Sequence, residues 1–135
     1  MISTNTYLHF SGNCEEAFQF YEKLLGGKII MLSRMADMPM PSPEGTEKQI
    51  SHIRMTVGNT ILMGSDSPSQ HYSKPAGFAV NVSVDTPEEA DRIFAALAKD
   101  GAIQMAIAET FWAQRFGMCT DRFGTPFMVN CEKPM

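Results

Sequence analysis

Six side chains in this sequence could hold or transform a ligand: His9, His52, Arg54, Asn81, Trp112 and Asn130. His9 alternates with Leu8 and Phe10, so in an extended segment it faces away from them. Its imidazole could act as an acid or base, although a single imidazole more commonly serves as a hydrogen-bonded structural group. His52 and Arg54 stand opposite Ile53, Met55 and Val57 in the same way. As a pair they could hold an anionic or polar ligand, because a guanidinium offers a planar fork of donors. A salt bridge to a nearby Glu or Asp is the more ordinary expectation for them. Asn81 and Asn130 fall on the polar side of alternating runs, where an amide can both donate and accept and so serves specificity better than proton transfer. Trp112 adjoins Phe111 and could line a pocket or plug an interface between chains, with core filling the commoner use of such a pair. His71 is expected to be solvated, and Asp66 to cap the turn that follows it.

No Ser-His-Asp order, phosphate loop, HExxH or paired-carboxylate spacing accompanies these residues, so none is assigned a catalytic role. Three cysteines, Cys14, Cys119 and Cys131, have no metal-ligand spacing, and their odd number does not suggest a disulfide framework. Cys131 alternates with Phe127 and Val129 and reads as a small buried hydrophobe.

The elements that must carry these residues are written twice. Glu15-Glu16-Ala17 opens a run with Ala17, Phe20, Tyr21 and Leu24 at helical spacing, and Glu88-Glu89-Ala90 opens another with Ala90, Ile93, Phe94 and Leu97. Each residue of the first set lies 73 positions before its counterpart. So long a period, present twice, indicates a duplicated module and not a solenoid. Thr6 to Phe10 reads as a strand, Asn13 with Glu16 as an N-cap and capping box, and Gly26-Gly27 as the helix stop. Strands are expected from Lys28 to Leu32, Ile50 to Val57 and Thr60 to Ser65, with Gly58-Asn59 as a hairpin turn. Met35 to Glu47 holds three prolines and a glycine and should be a surface loop, whose methionines could cover a pocket or meet a partner. In the second round Phe78 to Val84 alternates as a strand, Thr86-Pro87 with Glu89 starts a helix ending near Gly101, and strands follow at Ile103 to Ile107, Phe116 to Thr120 and Thr125 to Cys131. The sum is an α+β chain of two tandem βαβββ modules, 1–66 and 77–135 with a linker at 67–76, whose curved mixed sheets would leave a cleft between them.

Composition narrows the role. A chain of 135 residues can bury a substantial core. A net charge of −4 argues against a grip on nucleic acid. No apolar run approaches a membrane span, and the N-terminus lacks the pattern of a signal peptide, so a soluble cytoplasmic protein is expected.

Paired βαβββ modules with FYxxLLGG in the first helix and DxFG before the last strand resemble the vicinal oxygen chelate superfamily, which includes glyoxalase I, bleomycin- and fosfomycin-resistance proteins and extradiol dioxygenases. Tyr7-Leu8-His9-Phe10, Gly12 to Ala17, Phe20-Tyr21 and Ser65-Asp66 in the first half, and Glu109 to Ala113, Phe116-Gly117, Thr120-Asp121 and Phe123-Gly124 in the second, sharpen the resemblance to the PhnB-like family. The resemblance implies a glyoxalase-like fold. In its metal-using members, two His or Glu ligands per module converge on one divalent cation. Here the corresponding places fall near Asn5 or Thr6, near Leu62 or Gly64, and at Ala79 and Met128, which offer no imidazole or carboxylate. The expectation is therefore a metal-free homodimer, its modules paired within or exchanged between chains, that binds a small organic molecule without a cofactor. The alternatives are a metal-dependent lyase, isomerase or dioxygenase with unexpected ligands, a histidine-based catalyst, or a regulatory interaction module. A methyltransferase reading finds no glycine-rich strand-to-helix turn to hold S-adenosylmethionine.

Overall fold

The computed structural model describes residues 1–68 and 70–134. The first module runs β1 (Thr6–Phe10), α1 (Cys14–Leu25), β2 (Lys28–Arg34), a 3-10 turn (Met35–Asp37), β3 (Ile50–Val57) and β4 (Thr60–Asp66). The second runs β5 (Val80–Ser83), α2 (Pro87–Ala98), β6 (Ala102–Ala108), β7 (Ala113–Thr120) and β8 (Pro126–Glu132). The chain divides into two compact units between Ser73 and Lys74. Each unit is an open four-stranded mixed sheet, ordered β1-β4-β3-β2 in the first and β5-β8-β7-β6 in the second. In both, the first and last strands pair in parallel at a position the helical crossover makes possible. The α+β class and the two βαβββ modules expected from the repeat are present. No helix among the described residues is long and apolar enough to cross a membrane.

Each helix buries one stripe on one face of its sheet. In α1 the stripe is Cys14, Ala17, Phe18, Tyr21 and Leu24, and in α2 it is Ala90, Ile93, Phe94 and Leu97. Leu8 and Phe10 from β1, Ile53 and Met55 from β3, and Leu62 from β4 complete the first core, while Phe127, Val129 and Cys131 from β8 contribute to the second. Burying each large apolar side chain contributes about 1.5–3 kcal/mol. A glycine lets the helix approach the sheet in both units. A Cβ at Gly64 would lie 2.7 Å from Phe18 Cε1, and one at Gly117 would lie 2.6 Å from Phe94 Cε1.

Several local expectations are revised. Asn13 makes no side-chain cap to α1, and its Oδ1 is buried without a hydrogen-bond partner among the described residues. The α1 terminus is instead closed from a distance. The Gly12 and Cys14 N–H groups donate to Asp66 Oδ1 at 2.8 and 3.0 Å, and the Ile50 N–H donates to Asp66 Oδ2 at 2.9 Å. Asp66, 4% exposed, thus ties the start of α1 to the start of β3. Thr86 does cap α2, accepting from the Glu89 N–H at 3.2 Å, while the Glu89 carboxylate turns to Arg92 instead of closing the box. At the end of α2 the left-handed residue is Asp100 (φ 61°). Gly101 is needed because a side chain there would collide with the Thr120 carbonyl. Strand β2 extends two residues past Leu32, β7 begins three residues before Phe116, and β5 excludes Phe78, which is exposed.

Two outcomes are expected in urea denaturation. Gly64→Ala and Gly117→Ala should each lower stability by about 1–3 kcal/mol, the usual cost of overpacking, and midpoints equal to the parent would refute the close-approach role. Asp66→Ala should cost on the order of 3 kcal/mol or more, because three backbone donors lose one shared acceptor.

Candidate functional site

In the first unit, the sheet face opposite α1 collects the chemistry. Alternation puts Leu8 and Phe10 under the helix and turns Tyr7 and His9 to the other side. Cross-strand pairs share a face, and the register aligns Tyr7 with Met63, Met63 with Arg54, and Arg54 with Met31 in one rung across four strands. Beside it, His9 pairs with Ser65, and His52 with Ser33. The Tyr7 hydroxyl and His52 Nδ1 are hydrogen-bonded at 3.0 Å, with ring centroids 5.6 Å apart and planes 20° from parallel. The His9 and Tyr7 centroids lie 5.1 Å apart, and His9 Nδ1 hydrogen-bonds Ser67 Oγ at 3.2 Å. Tyr7 therefore links the two imidazoles into one aromatic row.

Arg54 departs from the ordinary expectation. No salt bridge reaches it or His52 among the described residues, and its Nε is buried without a hydrogen-bond partner there. A guanidinium in that position retains donors for an added oxygen acceptor. Elsewhere arginines are committed: Arg34 clasps Glu15 through two 2.9 Å bonds, and Arg115 meets Asp91 at 2.7 Å.

The corresponding rung of the second unit is Asn81, Met128, Met118 and Met105. Methionine recurs at two matching places, Met63 with Met128 and Met31 with Met105. Asn and Met stand where the first unit has Tyr7 and Arg54. Asn81 Nδ2 donates to Ser83 Oγ at 3.0 Å, a side-chain partner and not backbone. Asn130 pairs with Ser83 and Phe116, and its Oδ1 is buried without a partner among the described residues. Trp112 does not fill a core: it is 44% exposed and Phe111 89%, with the Trp112 ring edge-on to Phe116 at 5.3 Å. The six residues singled out in the sequence therefore fall into two groups, His9, His52 and Arg54 on one sheet, and Asn81, Trp112 and Asn130 in the other unit. Tyr7, Met31 and Met63 were missed. The signal for them was available, since they share an alternation phase with His9 and Arg54.

The positions that the superfamily resemblance assigns to metal ligands do not fit a divalent cation. Leu62 and Gly64 face α1, and Thr6, Ala79 and Met128 supply a hydroxyl, a methyl and a thioether. The thiols are withdrawn as nucleophiles, since all three cysteines are buried. Burial, reinforced by Asp66 and Glu15, pushes the Cys14 thiol far above its ordinary value, and burial with Asp121 pushes Cys119 up to about 11.

The chain matches the family described as 3-demethylubiquinone-9 3-methyltransferase over residues 3–130. It belongs to that family. A crystal structure of protein PA1353 from Pseudomonas aeruginosa is 41% identical, covering 99% of this chain and 100% of that one, with a TM-score of 0.92. Protein YjdN of Escherichia coli (strain K12) is 33% identical over 94% of this chain and 93% of its own length. The PhnB protein of Bacillus cereus, called a putative 3-demethylubiquinone-9 3-methyltransferase, is 29% identical over 96% of this chain and 99% of its own, with a TM-score of 0.83. The fold persists at 11% identity in a glyoxylase/bleomycin resistance protein/dioxygenase domain from Frankia, at a TM-score of 0.68.

The thiol environments predict that native protein at pH 8 leaves Cys14 and Cys119 unmodified by a disulfide reagent over a time in which denatured protein reacts fully. Rapid native labelling of either, mapped by mass spectrometry, would contradict their burial.

Proposed function

We propose that this PhnB-like protein is a metal-free, cytoplasmic, homodimeric binder of a small, partly apolar organic molecule carrying an anionic or strongly polar group. The observation that carries this reading is Arg54, whose buried Nε lacks a partner among the described residues while Met31 and Met63 flank it along one rung. The guanidinium would take the ligand's oxygen acceptors, the Tyr7–His52 pair would orient a second polar group, and the methionines would adapt to the apolar remainder. His9 and Ser67 extend the same face, while Asn81, Asn130 and Trp112 belong to the second unit. A binder uses such groups for affinity and orientation without needing an acid and a base matched to a reaction. The absence of imidazole and carboxylate from the superfamily's ligand places supports metal independence. The homodimer is supported by Ile30, Leu32, Ile103 and Met105, exposed on the edge strands β2 and β6 of the two sheets.

The family's description names a methyl transfer. The segment joining β1 to α1, Ser11-Gly12-Asn13, is not the glycine-rich turn of a nucleotide-binding doubly wound sheet, and the sheet order differs from such a fold. Binding without methyl transfer is therefore the reading pursued.

The test is a thermal-shift survey of small carboxylates, phosphates and phosphonates bearing apolar groups, followed by calorimetry on the hits. Arg54→Met should keep the unfolding free energy within about 1 kcal/mol of the parent and weaken the best hit at least tenfold, with EDTA leaving the affinity unchanged. Unaltered affinity in Arg54→Met, loss of binding with EDTA, or saturable binding of S-adenosylmethionine would each overturn the reading. A monomeric mass by ultracentrifugation at micromolar concentration would overturn the dimer.

A further inference from the structure

The loop between β2 and β3 forms a second candidate site within the first unit, lined by other residues than the Arg54 face. Met35, Met38, Met40, Pro41, Pro43 and Gln49 are among the residues around a cavity of about 200 Å³. The loop is tied at its base. The Met35 N–H donates to the Gln49 carbonyl at 2.8 Å, and the Ala36 N–H to the Glu47 carbonyl at 3.0 Å. Arg34 Nη1 donates to the Lys48 carbonyl at 3.0 Å while the same guanidinium holds Glu15 on α1. Three thioethers from a six-residue stretch are thus gathered around one cavity, with Met38 and Met40 40% and 61% exposed and open to an incoming ion.

We propose that this cavity binds a soft monovalent cation, Cu(I), through the thioether sulfurs of Met35, Met38 and Met40. The donor chemistry selects the ion. Thioethers are soft, neutral ligands suited to Cu(I), and they need lose no proton to bind, unlike thiols. A hard divalent cation would require an oxygen cage. Here two of the loop's carboxylates are engaged by backbone: Asp37 Oδ2 accepts from the Arg34 N–H at 2.9 Å, and Glu47 Oε1 from the Gly45 N–H at 3.3 Å. Charge favours a cation over an organic anion. Residues 35–49 contain Asp37, Glu44 and Glu47 against Lys48 alone, a local net charge of −2. The competing soft donors are distant in character, since the three cysteine thiols are buried and those of Cys14 and Cys119 resist ionisation.

The experiment is an anaerobic titration of the full chain with Cu(I) held by the chromophoric chelator bicinchoninate. The expected result is one Cu(I) per chain withdrawn from the chelator, with Zn(II) unable to displace it. The triple variant Met35→Leu, Met38→Leu, Met40→Leu conserves volume and should fold like the parent while withdrawing copper at least tenfold less well. In parent protein labelled at the methionine methyls, Ag(I) used as a redox-inert probe should shift three of the eleven signals, those of Met35, Met38 and Met40. The proposal is overturned if the chelator keeps all the copper. It is equally overturned if the triple variant binds as the parent does, or if the shifted methyls belong to other methionines.

Discussion

The carboxylate of Asp66 is the constraint on which the first module depends. Its two oxygens receive N–H groups from the loop after β1, the first residue of α1 and the first residue of β3. Gly12 and Cys14 are near neighbours, but Ile50 lies more than thirty residues further along the chain. The β1–α1 crossover brings Gly12 and Cys14 to the C-terminal end of the parallel pair, where β4 ends with Asp66 opposite Phe10. An acceptor there also meets the positive end of the α1 dipole. The helix is thereby fixed in translation along the sheet, and the phase of β1 and β3 follows. That phase sends Tyr7, His9, His52 and Arg54 to the face away from the helix. The candidate ligand face is a consequence of how the other face is closed.

The second module reaches the same architecture by a local route. Thr86 caps α2 from its own position and Pro87 occupies the first helical residue, so no distant acid is required. Cys131 takes the place on β8 that corresponds to Asp66 on β4, as the registers of the two parallel pairs show. A buried thiol there asks for nothing and supplies nothing. With the structural burden of the first module concentrated in one acid, its open face is free to hold charge. The second module keeps methionine at two matching places of the rung and lacks the arginine.

Much of this was legible in the sequence because it rests on periodicity. The stripe of α2, the order of elements along the chain and the orientation of His9, His52 and Arg54 all follow from spacing of 3.6 or 2 residues, whereas in α1 the expected Phe20 is only half-buried and Phe18 takes its place in the stripe. What spacing could not give was partnership. Asn13 had the residue type and the position of an N-cap, yet its side chain makes no cap, and the side-chain acceptor at this helix start is the distant Asp66, which takes the Gly12 and Cys14 N–H groups. The salt bridge expected for Arg54 is absent among the described residues because which acids lie nearby is a property of the fold: in the first unit Glu15 is held by Arg34, and Asp66 by backbone N–H groups. Trp112 was misjudged as core because aromatic size was weighed without the turn that holds it. Thr110 and Ala113 close that turn on each other and leave Phe111 and Trp112 outside it. The Asp66 role did leave a trace, since Leu62, Gly64 and Asp66 share one phase and place an acid on the core side of β4.

Comparison of the two modules also locates where duplication has been put to use. The connection between β2 and β3 spans residues 35–49, and its counterpart between β6 and β7 spans only 109–112. Both expose large apolar side chains, Met38 and Met40 in one and Phe111 and Trp112 in the other. Lengthening a surface loop costs little closure entropy, so this connection can diverge without disturbing the sheets it joins. The short version has no residues to spare and presents rigid rings from a tight turn. The long version, tied down by Arg34 and the 3-10 turn, has enough chain to enclose a cavity and to line it with flexible thioethers. The sheet faces and this one connection thus join the Asp66 and Cys131 positions as places where the halves differ in chemistry while sharing a backbone.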